Sequence, residues 1–562
     1  MKVIIVGGVA GGASCAARLR RLDEKAEILM VERGPYVSYA NCGLPYHVGG
    51  VIEKKSSLLL ATPETFRQMF AIDCRTDCEV VGIAAKDKTI ALKDRTTGDV
   101  TTETYDKLVL SPGAAPIRPP LPGIDLPGIF SVRTVPDAVS VRTWVDRSFA
   151  EPPGLDSYTG SQARRRARRA VVVGGGFIGL EMAENLVALG LEVTLVQRGG
   201  QLMTPVDPEM ALYVQRHMEK HGVRILLNDG ASGFEQTAGG SLEVLTLSGE
   251  KLPADVVVLG IGVRPETKLA EMAEVELGDR GGIRVDEQMR TSDPDIFAVG
   301  DAVEKWDCVT GEWSLVALAG PANRQGRIAA DVIAGRDSRF RGTQGTAIVG
   351  LFGGALAWTG ASEKTLKRLG DEDYEKVYLF PNSHAGYYPG AAPLAMKVLF
   401  RKSDGRLLGA QAVGRDGVDK RIDCIAMAIQ MGGTIYDLEE AELCYAPQFG
   451  SAKSPANFAG MVAADVLRGD MPLEHWGSAD GGLLLDVRHP EELAAEALPG
   501  VVSIPVDQLR WRLEELPRNR EILVICRSGQ RAYYATRILL QNGFTAKVVS
   551  GGMLSHEIFS EV

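Results

Sequence analysis

A chain of 562 residues is too long for one hydrophobic core and predicts three to four domains at roughly 150 residues each. With 45% hydrophobic and 24% charged residues its composition is that of a folded globular protein, which excludes a disordered or fibrous chain. A net charge of −10 argues against a nucleic-acid binder that works by neutralising phosphates, and no apolar run reaches the roughly 18 to 20 residues of a membrane span. The N-terminus reads as a buried strand rather than a signal peptide, and eight cysteines without a CxxC pair point to reduced thiols in the cytoplasm, with no metal site.

In chain order, the apolar run Val3–Val6 leads into Gly7-Gly8-Val9-Ala10-Gly11-Gly12 and an Ala-rich helical stretch, Ala13 to Leu22. Strand, glycine turn and helix make a phosphate cradle, because glycines let the backbone approach a pyrophosphate and a helix start offers free N–H groups. The next strand ends at Glu32, placed to accept from ribose hydroxyls, with Arg33 beside it. A second copy runs Val171–Val173, Gly174-Gly175-Gly176-Phe177-Ile178-Gly179, a helix to Ala188 and a strand Val193–Val196. The acid at its strand end is replaced by Gln197 and Arg198, which removes repulsion toward a 2′-phosphate and predicts that NADPH is tolerated as well as NADH. The run Arg164 to Arg169 reads as a solvated linker.

Between the two turns, Ser38-Tyr39-Ala40-Asn41-Cys42-Gly43-Leu44-Pro45-Tyr46 carries a single cysteine with no second one in its loop. With the later stretch Thr291 to Asp301 and Ser111-Pro112-Gly113, the chain resembles the FAD-dependent pyridine nucleotide–disulfide oxidoreductases over residues 1 to about 470. The resemblance implies an acid, Asp301, at the FAD ribityl–phosphate region and a crossover at Ser111-Pro112-Gly113 between FAD and NAD(P) domains. The lone cysteine in SYANCGLPY is similar to the coenzyme A disulfide reductases and persulfide reductases, also related to NADH oxidases and peroxidases. In such relatives one thiol cycles through a mixed disulfide, a persulfide or a sulfenic acid. The chemistry needs a thiolate near neutral pH, which a helix start after Cys42 and a neighbouring flavin are expected to favour.

The same resemblance implies coenzyme A contacts at Ser14, Arg18, Arg21, Ser38, Asn41, Arg75 and Lys453. Ser14, Arg18 and Arg21 are spaced to share one helix face that addresses phosphates. From about 336 the pattern resembles the family's dimerisation domain and implies a homodimer in which Tyr387 and Tyr445 reach the partner subunit's cysteine. Whether Tyr387 or Tyr388 points inward stays open, since neighbours on a strand face opposite ways.

Residues 471–482 read as a linker, after which 483–562 resembles a rhodanese domain through Asp486-Val487-Arg488 and the loop Cys526-Arg527-Ser528-Gly529-Gln530-Arg531. Backbone N–H groups around Cys526, the following helix start, Arg527 and Arg531 form an anion nest suited to a persulfide, and with four residues between cysteine and arginine the ring suits sulfur better than phosphate. The expected fold is α/β: an FAD domain (1–150 and 265–335), an NAD(P) domain (151–264), an α+β dimerisation domain (336–470) and a small α/β rhodanese domain. The expected activity is NAD(P)H-dependent reduction of coenzyme A disulfide or persulfide, with FAD as cofactor and Cys526 relaying sulfane sulfur. An NADH oxidase or peroxidase and a non-catalytic sulfur sensor stand as alternatives.

Overall fold

The computed structural model describes residues 1–147, 149–150, 164–165, 167–237, 239–477 and 481–560, without the side chains of 149, 150, 164 and 165. Of the run 164–169 read as a solvated linker, residue 166 lies outside the described residues, while Arg164–Arg165 pair with Phe149–Ala150, Arg168 is exposed and Arg169 opens the strand Arg169–Val173. The chain divides into two compact units, Met1–Leu202 with Met218–Gly345, and Met203–His217 with Thr346–Val562.

The first unit is built on two five-stranded parallel sheets. One has the order Ile296–Ala298, Lys107–Leu110, Lys2–Val6, Glu27–Val31, Asp73–Arg75. Val3, Ile4 and Ile5 are completely buried, as expected for a strand of a parallel sheet covered on both faces. The helix Ala10–Arg20 follows the glycine turn and buries Cys15, Ala16 and Leu19. The other sheet repeats the arrangement as Arg224–Leu226, Glu192–Val196, Arg169–Val173, Val256–Leu259, Ile129–Phe130. Its edge strand, Ile129–Phe130, lies inside the span 1–150 assigned to the FAD domain, so the chain enters the second sheet before residue 150. A strand of two residues is too short to show a periodicity of its own.

The second unit holds a five-stranded antiparallel sheet, Ala347–Leu351, Gly354–Gly360, Leu407–Gly414, Leu394–Arg401, Tyr374–Leu379. It also holds a five-stranded parallel sheet, Leu473–Glu474, Ala546–Val549, Ile522–Ile525, Leu483–Asp486, Val502–Ser503. The stretch 471–482 is therefore not only a linker: Leu473 and Glu474 pair with Val548 and Val549 and form an edge of this last sheet. Within the same unit the fully buried ammonium of Lys397 lies 2.9 Å from Asp207, 2.5 Å from Glu209 and 2.7 Å from Glu363. These three carboxylates are close enough to hold a metal ion, but lysine already answers their charge. Removing one partner from such a buried set costs about 3–5 kcal/mol. Among the described residues no helix is long and apolar enough to cross a membrane.

Candidate active site

The first glycine turn leaves no room for side chains. Gly7 adopts φ +100°, a Cβ on it would stand 2.1 Å from the Ser111 carbonyl oxygen, and one on Gly12 would stand 1.8 Å from that of Gly7. The turn borders a cavity of about 380 Å³ that Gly11, Glu32, Arg33, Ser111, Pro112, Gly113, Asp301, Asn41 and Cys42 also line. The Glu32 carboxylate accepts from the Gly8 N–H at 2.9 Å and the Gly34 N–H at 3.0 Å, and Arg33 pairs with Glu266 at 2.5 Å. A glycine cradle at a helix start, closed by an acid, fits the pyrophosphate and ribose of FAD. Lys305, which the sequence reading did not single out, is buried below the Asp301 turn. Its ammonium donates to the carbonyls of Gly300 (2.7 Å) and Val303 (3.1 Å), and burial pulls it down to about 8 against the opposing pull of Asp301.

The second turn is built alike. Gly174 has φ +107°, a Cβ on Gly179 would meet the Gly174 carbonyl oxygen at 1.9 Å, and Gly176 faces open space. Here Gln197 takes the place of the acid: its Oε1 accepts from the Gly175 N–H at 2.9 Å, and Arg198 beside it is exposed. The geometry fits an NAD(P)H pyrophosphate on the turn, with an amide and a guanidinium where the adenosine ribose would lie.

Cys42 sits in the 3₁₀ turn Asn41–Gly43, ahead of the short helix Leu44–Val48, and its Sγ meets Asn41 Oδ1 at 3.8 Å. Its residue surface opens onto the cavity, yet the protein around the sulfur pushes the thiol up, burial first and then the charges of Glu181 and Asp301. The expected help from a helix start is thus outweighed in the protein chain alone: the helix has five residues, and burial and two carboxylates act on the thiol against it. Glu181, on the helix Phe177–Ala188, lies 3.4 Å from the Tyr46 hydroxyl. Burial raises its carboxyl to about 7, and burial followed by Glu181 raises Tyr46 to about 12. Neither residue was singled out from the sequence. The available signal was Tyr46 one turn beyond Cys42 in a Pro-containing helix.

The residues expected to contact coenzyme A divide. Asn41 lines the cavity with Cys42, and Ser38, held at φ +43°, donates its N–H to the Gly8 carbonyl at 2.7 Å. Ser14 bonds to Asn323 and Arg18 to Asp331 at 2.8 Å, both partners lying on the helix Ala319–Ile333. The helix face expected to be open for phosphates is therefore partly covered by another helix, leaving Arg21 exposed at its end. Arg75 is paired with Glu103 at 2.8 Å and Asp73 at 3.2 Å.

In the second unit the hydroxyls of Tyr387 and Tyr445 lie 2.8 Å apart, so Tyr387 is the one of the adjacent pair that meets Tyr445, while Tyr388 packs edge-on against His384. Cys526 ends the strand Ile522–Ile525 and is buried, with the Gly529 N–H donating to its Sγ at 3.1 Å. The helix Gln530–Gln541 starts immediately after the loop. Gly552 closes the loop from behind, where a Cβ would stand 2.2 Å from the Cys526 carbonyl oxygen. The two loop arginines do not lie free over the sulfur. Arg531 forks onto Glu492 at 2.6 and 2.7 Å, and Arg527 meets Glu496 at 3.3 Å and Glu557 at 3.0 Å. The fork holds the Glu492 carboxyl down at about 2. Asp486 and Arg488 form a buried ion pair at 2.8 Å under the same domain. Lys453, Phe458 and Tyr533 line a cavity of about 390 Å³ together with Ser528, Gly529 and Gln530 of the cysteine loop.

Comparison with known proteins places these parts. The pyridine nucleotide-disulphide oxidoreductase family matches residues 1–326, its dimerisation domain residues 347–456, and the rhodanese-like domain residues 473–556. A coenzyme A disulfide reductase of Staphylococcus haemolyticus is 34% identical over 466 residues, which cover 83% of this chain and all of that protein. The crystal structure of reduced CoADR-RHD from Bacillus anthracis has a TM-score of 0.93 at 46% identity and covers all of this chain and 98% of that one. An NAD-dependent persulfide reductase from A. fulgidus has a TM-score of 0.89 at 35% identity, with 99% and 100% covered. The two glycine-turn dinucleotide folds stand within the first matched span and the separate cysteine loop within the last: the chain belongs to the pyridine nucleotide-disulphide oxidoreductase family and carries a C-terminal rhodanese-like domain.

Proposed function

We propose that this protein reduces coenzyme A persulfide and coenzyme A disulfide with electrons from NAD(P)H, through Cys42, and that Cys526 relays sulfane sulfur to coenzyme A. The observation that carries the reading is the pairing, in one chain, of a lone thiol on a dinucleotide-fitting cavity with a buried cysteine loop of rhodanese type. FAD held by the glycine turn, Glu32 and the Asp301 turn would supply hydride acceptance from NAD(P)H and a two-electron reductant for the Cys42 sulfur. The Cys42 thiolate attacks the inner sulfur of the coenzyme A persulfide, forming a mixed disulfide and releasing hydrosulfide; with coenzyme A disulfide the same attack releases a coenzyme A thiolate. Two electrons and a proton then regenerate the Cys42 thiolate and free coenzyme A.

The relatives' names support the substrate class, and the matched dimerisation domain supports a homodimer. In that dimer the Tyr387–Tyr445 pair serves the second subunit's site, where a phenol donates a proton to a leaving thiolate. Lys453 beside the cysteine loop suits a phosphate of the coenzyme A that collects sulfur from Cys526. Of the residues expected to bind coenzyme A, Asn41 and Ser38 stand nearest the Cys42 loop, while Arg18 and Arg75 must leave their carboxylate partners to serve. Replacing Cys526 by serine is expected to abolish sulfide release from thiosulfate or polysulfide while sparing coenzyme A disulfide reduction. Equal loss of both, or oxygen and peroxide consumption exceeding sulfide release, overturns the reading.

A further inference from the structure

The helix Val418–Gln430 and the loop that carries Tyr445 meet at an arrangement of two thiols and one ammonium. Lys420 donates to the Cys444 sulfur at 3.9 Å and to the Phe449 carbonyl at 3.3 Å, so it bridges the two sides of Tyr445 in the loop. Cys424 lies one helical turn beyond Lys420, on the same helix face. Cys444 is exposed and Cys424 half-buried. With Lys420 on the Cys444 sulfur and Cys424 one turn further along the same face, the helix brings the two thiols to one patch, where burial pushes the Cys424 thiol up and Lys420 and Arg421 pull it down.

We propose that Cys424 and Cys444 form a reversible disulfide that closes when a low-molecular-weight disulfide accumulates and fastens the Tyr445 loop to this helix. Cys444, being exposed, gives up its proton to solvent and attacks the disulfide RS–SR: a bond forms between its Sγ and one SR sulfur, the S–S bond of the reagent breaks and RS⁻ leaves, taking a proton from solvent. Cys424 then gives up its proton and attacks the Cys444 sulfur, expelling the second RS⁻. One external disulfide is reduced to two thiols and two cysteine thiols are oxidised to one disulfide. The oxidant is of the class this protein consumes, so the pair closes when disulfide outruns NAD(P)H and reopens when free thiol returns. The effect on turnover rests on the reading of Tyr445 given above; formation of the bond does not.

The test uses the holoenzyme without NAD(P)H, treated with coenzyme A disulfide, then alkylated, digested and mapped by mass spectrometry. Expected is a linked peptide joining Cys424 to Cys444 of one chain, released by dithiothreitol. Cys424→Ser should trap Cys444 as a mixed disulfide with coenzyme A, and Cys444→Ser should leave Cys424 free to alkylate. Cys444 that stays alkylatable while Cys42 is fully consumed, or that links only between chains, overturns the proposal. On adding NAD(P)H, the initial rate of the linked enzyme should be roughly 10-fold below that of the dithiothreitol-treated one, with Cys444→Ser unaffected. A linked peptide with an unchanged rate upholds the thiol pair and counts against the assigned role of Tyr445.

Discussion

The sulfur of Cys526 is buried at the end of a strand with a backbone N–H 3.1 Å away, whereas that of Cys42 opens onto a cavity and meets the Asn41 side chain at 3.8 Å. Around Cys526 the chain supplies the loop, the helix start and two arginines already braced by Glu492, Glu496 and Glu557. Around Cys42 it supplies burial and two carboxylates, which disfavour the thiolate. The rhodanese-like site is thus preorganised by its own polypeptide, while the redox site depends on what binds beside it. That division suits the chemistry: a sulfur carrier must hold a persulfide between partners, and an electron carrier should react only when its cofactor is in place.

The largest effect should come from breaking the preorganised side alone. In Gly552→Val a Cβ would fall 2.2 Å from the Cys526 carbonyl oxygen, at a residue with φ +57°, and the loop has to move. Sulfur transfer from thiosulfate to cyanide should fall roughly 100-fold, about 2.7 kcal/mol of activation energy. Reduction of coenzyme A disulfide by NAD(P)H should stay within about two-fold. If both rates fall together in a variant with unchanged unfolding temperature, the two sites are not independent.

A smaller effect sharpens the other side. Glu181 is neutral below about 7 and ionised above it, and when ionised it works against the Cys42 thiolate. Glu181→Gln should therefore raise the rate of Cys42 alkylation roughly 5-fold at about pH 8 and change it little at about pH 6. The sign for stability follows from the same shift. A carboxyl whose folded value is raised from 4.5 to about 7 stabilises the fold below 4.5, and this is lost as pH climbs toward 7, on the order of 3 kcal/mol. Denaturant titrations at the two ends of that window should show the loss in the parent and not in the glutamine variant; a parallel loss in both would assign it elsewhere.

What the sequence made legible is what short spacing determines. The two glycine turns, the lone Cys42 and the helix Gln530–Gln541 after Cys526 were readable because turn, strand end and helix start are neighbours in the chain. The partners of the site residues were not. Asp331 answers Arg18, Glu103 answers Arg75, and Glu181 stands over Tyr46 from far along the sequence, each brought in by sheet or helix packing rather than by local pattern. Hence Arg18 and Arg75 read as coenzyme A contacts and prove to be ion-paired in the chain alone. The strands Ile129–Phe130 and Leu473–Glu474 escaped for a different reason, since two residues carry no alternation and only their ladder partners define them.

The smallest effect lies upstream of Cys42, where the two dinucleotide turns differ by one acid. Glu32 accepts from Gly8 at 2.9 Å through a carboxylate, and Gln197 accepts from Gly175 at the same distance through an amide oxygen. Gln197→Glu keeps that acceptor, so the second turn retains its shape and the variant changes charge alone. A carboxylate there would repel a 2′-phosphate and leave a free ribose diol unharmed. The ratio of kcat/KM for NADPH to that for NADH should fall roughly 3-fold, with Arg198 limiting the drop because its guanidinium remains to meet the phosphate. Arg198→Ala in the same background should lower the ratio again. A parent enzyme that already rejects NADPH, or a glutamate variant with an unmoved ratio, would mean that Gln197 shapes the turn without reading the ribose.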